Sequence, residues 1–169
     1  MKRTFLLLAM LAVGIAMQAQ TQYHDVAINE AKGAVKSITQ SAMGQVNTVT
    51  FTPEGKMENK MMTDLVYDEN GFLQSAMAEM QGTKIKISFI WEQDCVKGQT
   101  MNVMGNDVTT SFNYDENGVI TSQSVDMGVQ SMQTDITDYK FDDHGNWISR
   151  KLSIMGQTVE QTRTIEYYE

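Results

Sequence analysis

Short runs of alternating apolar and polar residues fill most of the chain after residue 33. In residues 84–91 the apolar side chains share one face of an extended strand, and in residues 147–154 and 159–167 they alternate in the same way. A period of two predicts β-strands that bury one face. Residues 135–141 alternate poorly, which predicts a bulge or an edge position there.

Glycine-containing turns separate these runs and form two classes. The acidic turns are Pro53-Glu54-Gly55, Asp68-Glu69-Asn70-Gly71, Asp115-Glu116-Asn117-Gly118 and Asp142-Asp143-His144-Gly145. The methionine turns are Met43-Gly44, Met80-Gln81-Gly82, Met104-Gly105, Met127-Gly128 and Met155-Gly156. Asp at the first turn position and Gly at the fourth favour a hairpin connection.

The spacing of these turns predicts an all-β fold, an antiparallel meander of about twelve short strands. A flat sheet of this size would leave one apolar face uncovered, so we expect the sheet to be strongly curved or barrel-like. Successive turns of a meander lie at opposite ends of the sheet. All methionine turns should therefore lie at one end and all acidic turns at the other.

The N-terminal residues are typical of a secretory signal peptide. Lys2 and Arg3 precede an apolar run at residues 5–16, and Ala19 ends a small-residue cleavage site. The predicted organisation is a signal peptide at 1–19, an arm or short helix at 20–33 and a single β-repeat domain at 34–169. The protein should then be extracytoplasmic, periplasmic or secreted, and soluble after cleavage, with no transmembrane segment.

Composition narrows the function classes. The 169 residues carry a formal charge of −8, which becomes −10 without Lys2 and Arg3, and no basic cluster is present. Nucleic acid is therefore not an expected partner, because phosphate contacts need clustered Lys and Arg. The single Cys95 excludes an intramolecular disulfide, and His24 and His144 offer little histidine chemistry.

Two segments resemble the YD repeat of RHS-type proteins: Tyr67-Asp68-Glu69-Asn70-Gly71-Phe72-Leu73 and Tyr114-Asp115-Glu116-Asn117-Gly118-Val119-Ile120. Residues 141–148 look like a degenerate copy with one inserted residue. The resemblance implies a β-hairpin scaffold or binding surface of a small exported protein. It supplies no catalytic residues, and the chain is too short for the enclosing shells of large RHS proteins.

The acidic turns carry the candidate cation ligands. Carboxylate and amide oxygens suit calcium, and the candidates are Asp68, Asn70, Asp115, Asn117, Asp142 and Asp143. The paired carboxylates also permit a carbohydrate-active hydrolase, which needs two carboxylates facing each other across a cleft. Solvated acidic turns without a ligand are the third interpretation.

Methionine is the unusual residue, and the candidates for contact with an apolar ligand or partner are Met43, Met80, Met104, Met127 and Met155. Met77 and Met80 lie three residues apart, as do Met101 and Met104, so each pair would point to opposite faces of a strand and could not chelate copper. Adaptable core filling is the alternative role. Trp147 is a further candidate, as an exposed aromatic side chain.

The leading hypothesis is an exported, non-enzymatic binding or structural module that contacts a protein, a glycan or an apolar ligand of the cell envelope. The alternatives are the hydrolase and a calcium-binding surface protein. No cofactor is expected. A homodimer could form through an uncovered apolar face or a sheet edge.

Overall fold

The structure is a computed structural model that describes residues 22–58, 62–80 and 82–169. The predicted signal peptide at 1–19 lies outside these residues. The described residues contain a short helix, α1 (Asp25–Ile28), and twelve strands. The strands are β1 Val35–Ala42, β2 Gln45–Phe51, β3 Met57–Glu58, β4 Met62–Tyr67, β5 Leu73–Met80, β6 Thr83–Glu92, β7 Cys95–Val103, β8 Asn106–Tyr114, β9 Ile120–Asp126, β10 Ser131–Phe141, β11 Trp147–Ile154 and β12 Gln157–Tyr167.

All twelve strands belong to one antiparallel sheet, which confirms the all-β meander. The strand order is β3-β2-β1-β12-β11-β10-β9-β8-β7-β6-β5-β4. The first and last strands therefore pair with each other, in a register that joins Ile38 to Ile165 and Ala42 to Gln161. The sheet edges are instead β3 and β4, which follow each other in sequence.

The two edges lie close together because the chain passes from Glu58 to Met62 in four residues, which span at most about 14 Å. The sheet must therefore curve back towards itself. Within the described residues β3 and β4 form no backbone pair, so hydrogen bonds do not close the sheet. We call the space between β3 and β4 the seam.

Antiparallel alternation places the two turn classes at opposite ends of the sheet. Met43, Met104, Met127 and Met155 lie in the β1–β2, β7–β8, β9–β10 and β11–β12 turns, and Met80 ends β5 on the same side. We call this the methionine end. The turns that begin at Thr52, Asp68, Asp115 and Asp142 lie at the other end, which we call the acidic end.

The hydrophobic core joins strands from both sides of the seam to residues before β1. Its buried members are Val26, Ala31, Val35, Ile38, Phe51, Met57, Leu73, Ile87, Phe89 and Val96. Since β1, β2 and β3 share this core with β5, β6 and β7, the curved sheet wraps around α1. No helix in the described ranges is long and apolar enough to cross a membrane.

The irregularity expected in residues 135–141 is a bulge inside the sheet. The β10–β11 register shifts between Thr137 and Lys140. Asp138 has a φ of 55°, and its carboxylate pairs with Lys151 at 2.7 Å. β10 is a central strand, so the alternative of an edge position was wrong.

Candidate functional site

Residues 22–33, which we call the arm, cover the acidic end. The Tyr23 N–H donates to the Glu54 carbonyl at 2.8 Å, and the His24 N–H donates to the Gly71 carbonyl at 3.2 Å. A Cβ on Gly55 would lie 2.7 Å from the Tyr23 carbonyl oxygen, so this close approach requires glycine. The arm therefore contacts the turns that flank the seam.

The Asp25 carboxylate joins the two edges of the seam. Its Oδ2 accepts hydrogen bonds from the Met57 N–H of β3 at 2.7 Å and from the Tyr67 hydroxyl of β4 at 2.6 Å. Asp25 is fully buried, and burial raises its pKa even though both hydrogen bonds lower it. Its Oδ1 has no hydrogen-bond partner among the described residues.

Trp147 is buried, so the prediction that it is an exposed aromatic was wrong. It lies two residues after the glycine of an acidic turn, as do the buried Leu73 and Ile120. Two guanidinium groups lie over the indole ring: their central carbons are 4.0 Å (Arg150) and 3.8 Å (Arg163) from the ring centroid. The two cations therefore stack on an aromatic face instead of meeting water.

The same two arginines hold the arm in place. Arg150 forms a two-pronged ion pair with Glu30, in which Nη2 and Oε1 are 3.0 Å apart. Arg163 donates to the carbonyls of Asn29 and Glu30, each at 2.8 Å. Burial lowers the pKa of Arg163 to about 10, so it stays charged at neutral pH.

A third anchor connects the arm to the β10–β11 turn. The Asn146 side-chain amide accepts a hydrogen bond from the Lys32 N–H at 2.8 Å and donates one to the Lys32 carbonyl at 2.9 Å. The Asn146 side chain thus pairs with both the backbone N–H and the carbonyl of Lys32, as the backbone of a neighbouring strand would. A cleft of about 470 Å³ remains between the arm and the turns of the acidic end.

The acidic candidates hold their own turns together. Oδ1 of Asp68, Asp115 and Asp142 each accepts two backbone hydrogen bonds from residues two and four positions later. Backbone hydrogen bonds from Val119 and Asn117 lower the pKa of Asp115. The residues described contain no group of three or more His, Cys, Asp or Glu side chains that could hold a metal ion.

The remaining acidic-end candidates do not converge on one point. Asn70 and Asn117 donate their backbone N–H groups to Asp68 and Asp115, each within its own turn. Asp143 is exposed beside Asp142. Oδ2 of Asp142 accepts a hydrogen bond from the Tyr167 hydroxyl.

At the methionine end, three of the five candidates project into solvent. Met43, Met104 and Met155 are 70%, 95% and 84% exposed. Each has a φ near 50° and precedes a glycine that also has a positive φ. Met127 is half-buried.

Sequence analysis did not identify Asp25, Arg150 and Arg163 as important residues. A signal for Arg150 was present, because it shares the apolar face of its strand with Leu152 and Ile154. A charged residue on an apolar face predicts a buried partner. No comparable local signal marks Asp25, whose partners are 32 and 42 residues away.

No protein-family model and no curated protein sequence matches the chain.

Proposed function

We propose that the protein is an exported, non-enzymatic binding module whose methionine end contacts an apolar surface of a cell-envelope partner. The observation that carries the proposal is where the exposed apolar side chains lie. The five most exposed large hydrophobic residues among those described all lie at the methionine end: Val129, Met104, Met155, Met43 and Val46. Val66, Ile90 and Phe141 lie elsewhere and are 54% exposed or less.

The conformation of the methionine turns supports this proposal. Two consecutive positive φ values are typical of type I′ hairpins, in which Asn-Gly is the favoured pair. Met at the first position carries the left-handed penalty of roughly 1–2 kcal/mol that L-residues pay. Met43, Met104 and Met155 are largely exposed, so burial within the protein does not offset that cost. Burial of these side chains by a partner would offset it.

The residues around these turns fit an apolar partner better than a charged one. They are mostly uncharged: Gln45, Asn102, Asn106, Gln130, Ser131, Gln157 and Thr158. Two nearby carboxylates already have hydrogen-bond partners, because Asp107 accepts from the Asn102 amide and Asp126 accepts from the Gly128 N–H, both at 2.8 Å. Contact here would desolvate few free charges.

The non-enzymatic part of the proposal rests on how the acidic turns use their carboxylates. One oxygen of Asp68, Asp115 and Asp142 is committed to backbone hydrogen bonds within the turn. We also interpret these turns as degenerate YD repeats. The turn at Thr52 has the same ring of backbone hydrogen bonds, which supports four copies of one hairpin unit.

Adsorption to an octyl matrix tests the proposal. The variant M43N/M104N/M155N keeps residues that suit the turns but removes the apolar tips, and it should be retained less strongly on the matrix than the wild type. The matched control V66T/I90T removes exposed apolar side chains elsewhere, and it should be retained like the wild type. Equal loss of retention in both variants would contradict a specific role for the methionine end.

Sedimentation velocity then separates the kinds of partner. If the wild type self-associates and M43N/M104N/M155N does not, the apolar surface belongs to a second copy of the chain. If both proteins sediment as monomers, the surface belongs to another envelope component.

A further inference from the structure

The cleft beneath the arm lies at the opposite end of the sheet from the methionine turns. Its volume of about 470 Å³ lies within the usual range for small-molecule sites. It runs between the arm and three turns of the acidic end, β6–β7, β8–β9 and β10–β11. These turns span four strand spacings, about 19 Å along the curved sheet.

The inner part of the cleft is apolar. Val26 and Ala31 of the arm face Val96 and Ile120 of the sheet, and all four are buried. Phe141 also lines the cleft and is 46% exposed. A ligand with an apolar body would cover it.

One end of the cleft carries a cation. The Lys32 ammonium lies beside Gly145, where a Cβ would be 3.0 Å from Nζ. Lys32 forms no ion pair with any described residue. The other charged groups of the lining are Glu30, which Arg150 neutralises, and Asp94, which lies at the far turn.

The cleft is a fixed feature, because the arm that forms one of its walls is hydrogen-bonded to the sheet at several points. Arg163 holds the carbonyls of Asn29 and Glu30, and Asn146 holds both backbone groups of Lys32. The arm therefore cannot settle deeper into the sheet without breaking these bonds. Such preorganisation lowers the entropy cost of binding a ligand.

We propose that the cleft binds a small amphiphile, with its apolar body along the buried floor and its anionic group at the Lys32 ammonium. This site is independent of the proposed contact at the methionine end. Glycine at position 145 lets the Lys32 side chain lie against the β10–β11 turn, because a Cβ there would be 3.0 Å from Nζ and 3.2 Å from Cε.

Isothermal titration calorimetry with octanoate and octanol tests the proposal. We expect one saturable octanoate site. A partly exposed ion pair contributes up to about 1 kcal/mol, so Lys32→Gln should weaken octanoate binding by roughly fivefold and leave octanol binding unchanged. Ala27→Phe fills the cleft from the arm and should weaken both ligands.

Val119→Phe fills the cleft from the sheet side and replaces Ala27→Phe if the latter fails to fold. Lys84→Gln changes a lysine near the methionine end and is the matched charge control. M43N/M104N/M155N should bind octanoate like the wild type. The proposal is overturned if octanoate does not bind saturably, if the cleft-filling variants bind it normally, or if Lys32→Gln and Lys84→Gln have the same effect.

Discussion

Asp25 occupies a position where a carboxylate is costly, since burial removes its hydration and Oδ1 has no hydrogen-bond partner within the part of the chain that the structure describes. Its other oxygen joins β3 to β4. Burial raises the pKa of Tyr67, so the hydroxyl remains a proton donor to Asp25 at neutral pH. Asp25 thus loses its hydration and connects β3 to β4, the two sheet edges that form no backbone pair with each other within the described residues.

The raised pKa of Asp25 predicts a specific pH dependence of stability. The folded state binds this proton more tightly than the unfolded chain, whose Asp pKa is about 3.9. The contribution of Asp25 to stability is therefore full below that pH and is lost as the pH rises through the folded pKa. Urea denaturation should therefore show that, as the pH falls from 7 to 4, the unfolding free energy of wild type rises relative to that of Asp25→Asn.

Asp115→Asn is the matched comparison of opposite sign, because the pKa of Asp115 is lowered in the folded state. The stability that Asp115 contributes is present above its unfolded pKa and is lost as the pH falls through the folded one. Wild type should therefore lose ground to Asp115→Asn when the melts are extended below the unfolded Asp pKa of about 3.9. Differences that change with pH in the same direction for both variants would refute this account of Asp25.

The methionine turns allow a second residue-scale prediction. Met43→Asn, Met104→Asn and Met155→Asn should each raise the unfolding free energy by up to about 1 kcal/mol, because Asn tolerates the left-handed conformation better. Met127→Asn is the control, since Met127 has no positive φ and should show no gain. Chemical denaturation measures the effect, and a loss of stability in the three variants would contradict the strain argument.

At the level of elements, one anchor of the arm is Glu30, which brings its charge to Arg150 inside the curved sheet. Arg150 is buried, so removing its partner leaves an uncompensated cation. Glu30→Gln should lower the unfolding free energy by about 3 kcal/mol. Asp138→Asn, which breaks the exposed pair with Lys151, should cost less than about 1 kcal/mol, and equal costs would be inconsistent with the anchoring role.

The elements themselves were largely predictable because strand alternation and glycine turns are local signals. Residues 84–91 and 147–154 became strands as the alternation predicted, and the bulge near Asp138 also had a local signature. The pairing of β1 with β12 had none, since it joins Ile38 to a residue more than 120 positions away. Trp147 was misplaced because its burial depends on Arg163, a residue from another strand.

At the scale of the whole molecule, the curved sheet gives two unlike ends. The arm covers the acidic end, while the methionine end presents apolar tips. This arrangement depends on β1 lying between β2 and β12, because that order makes β3 and β4 the edges joined by Asp25.

Nuclear Overhauser contacts test this strand order. Backbone protons of Thr39 should show contacts with Thr48 in β2 and with Thr164 in β12. A simple open meander, with β1 and β12 as its edges, would give the Thr48 contact alone. Absence of the Thr164 contact would therefore rule out the curved arrangement.

The central claim is that the exposed methionine tips form the contact surface for an apolar partner. Methyl NMR of methionine-labelled protein, titrated with octyl glucoside below its critical micelle concentration, tests it most directly. We predict saturable shifts confined to the methyl groups of Met43, Met104 and Met155, while the core Met57 stays unchanged. The largest shifts at Met57, or no saturable shift at the three tips, would contradict the claim.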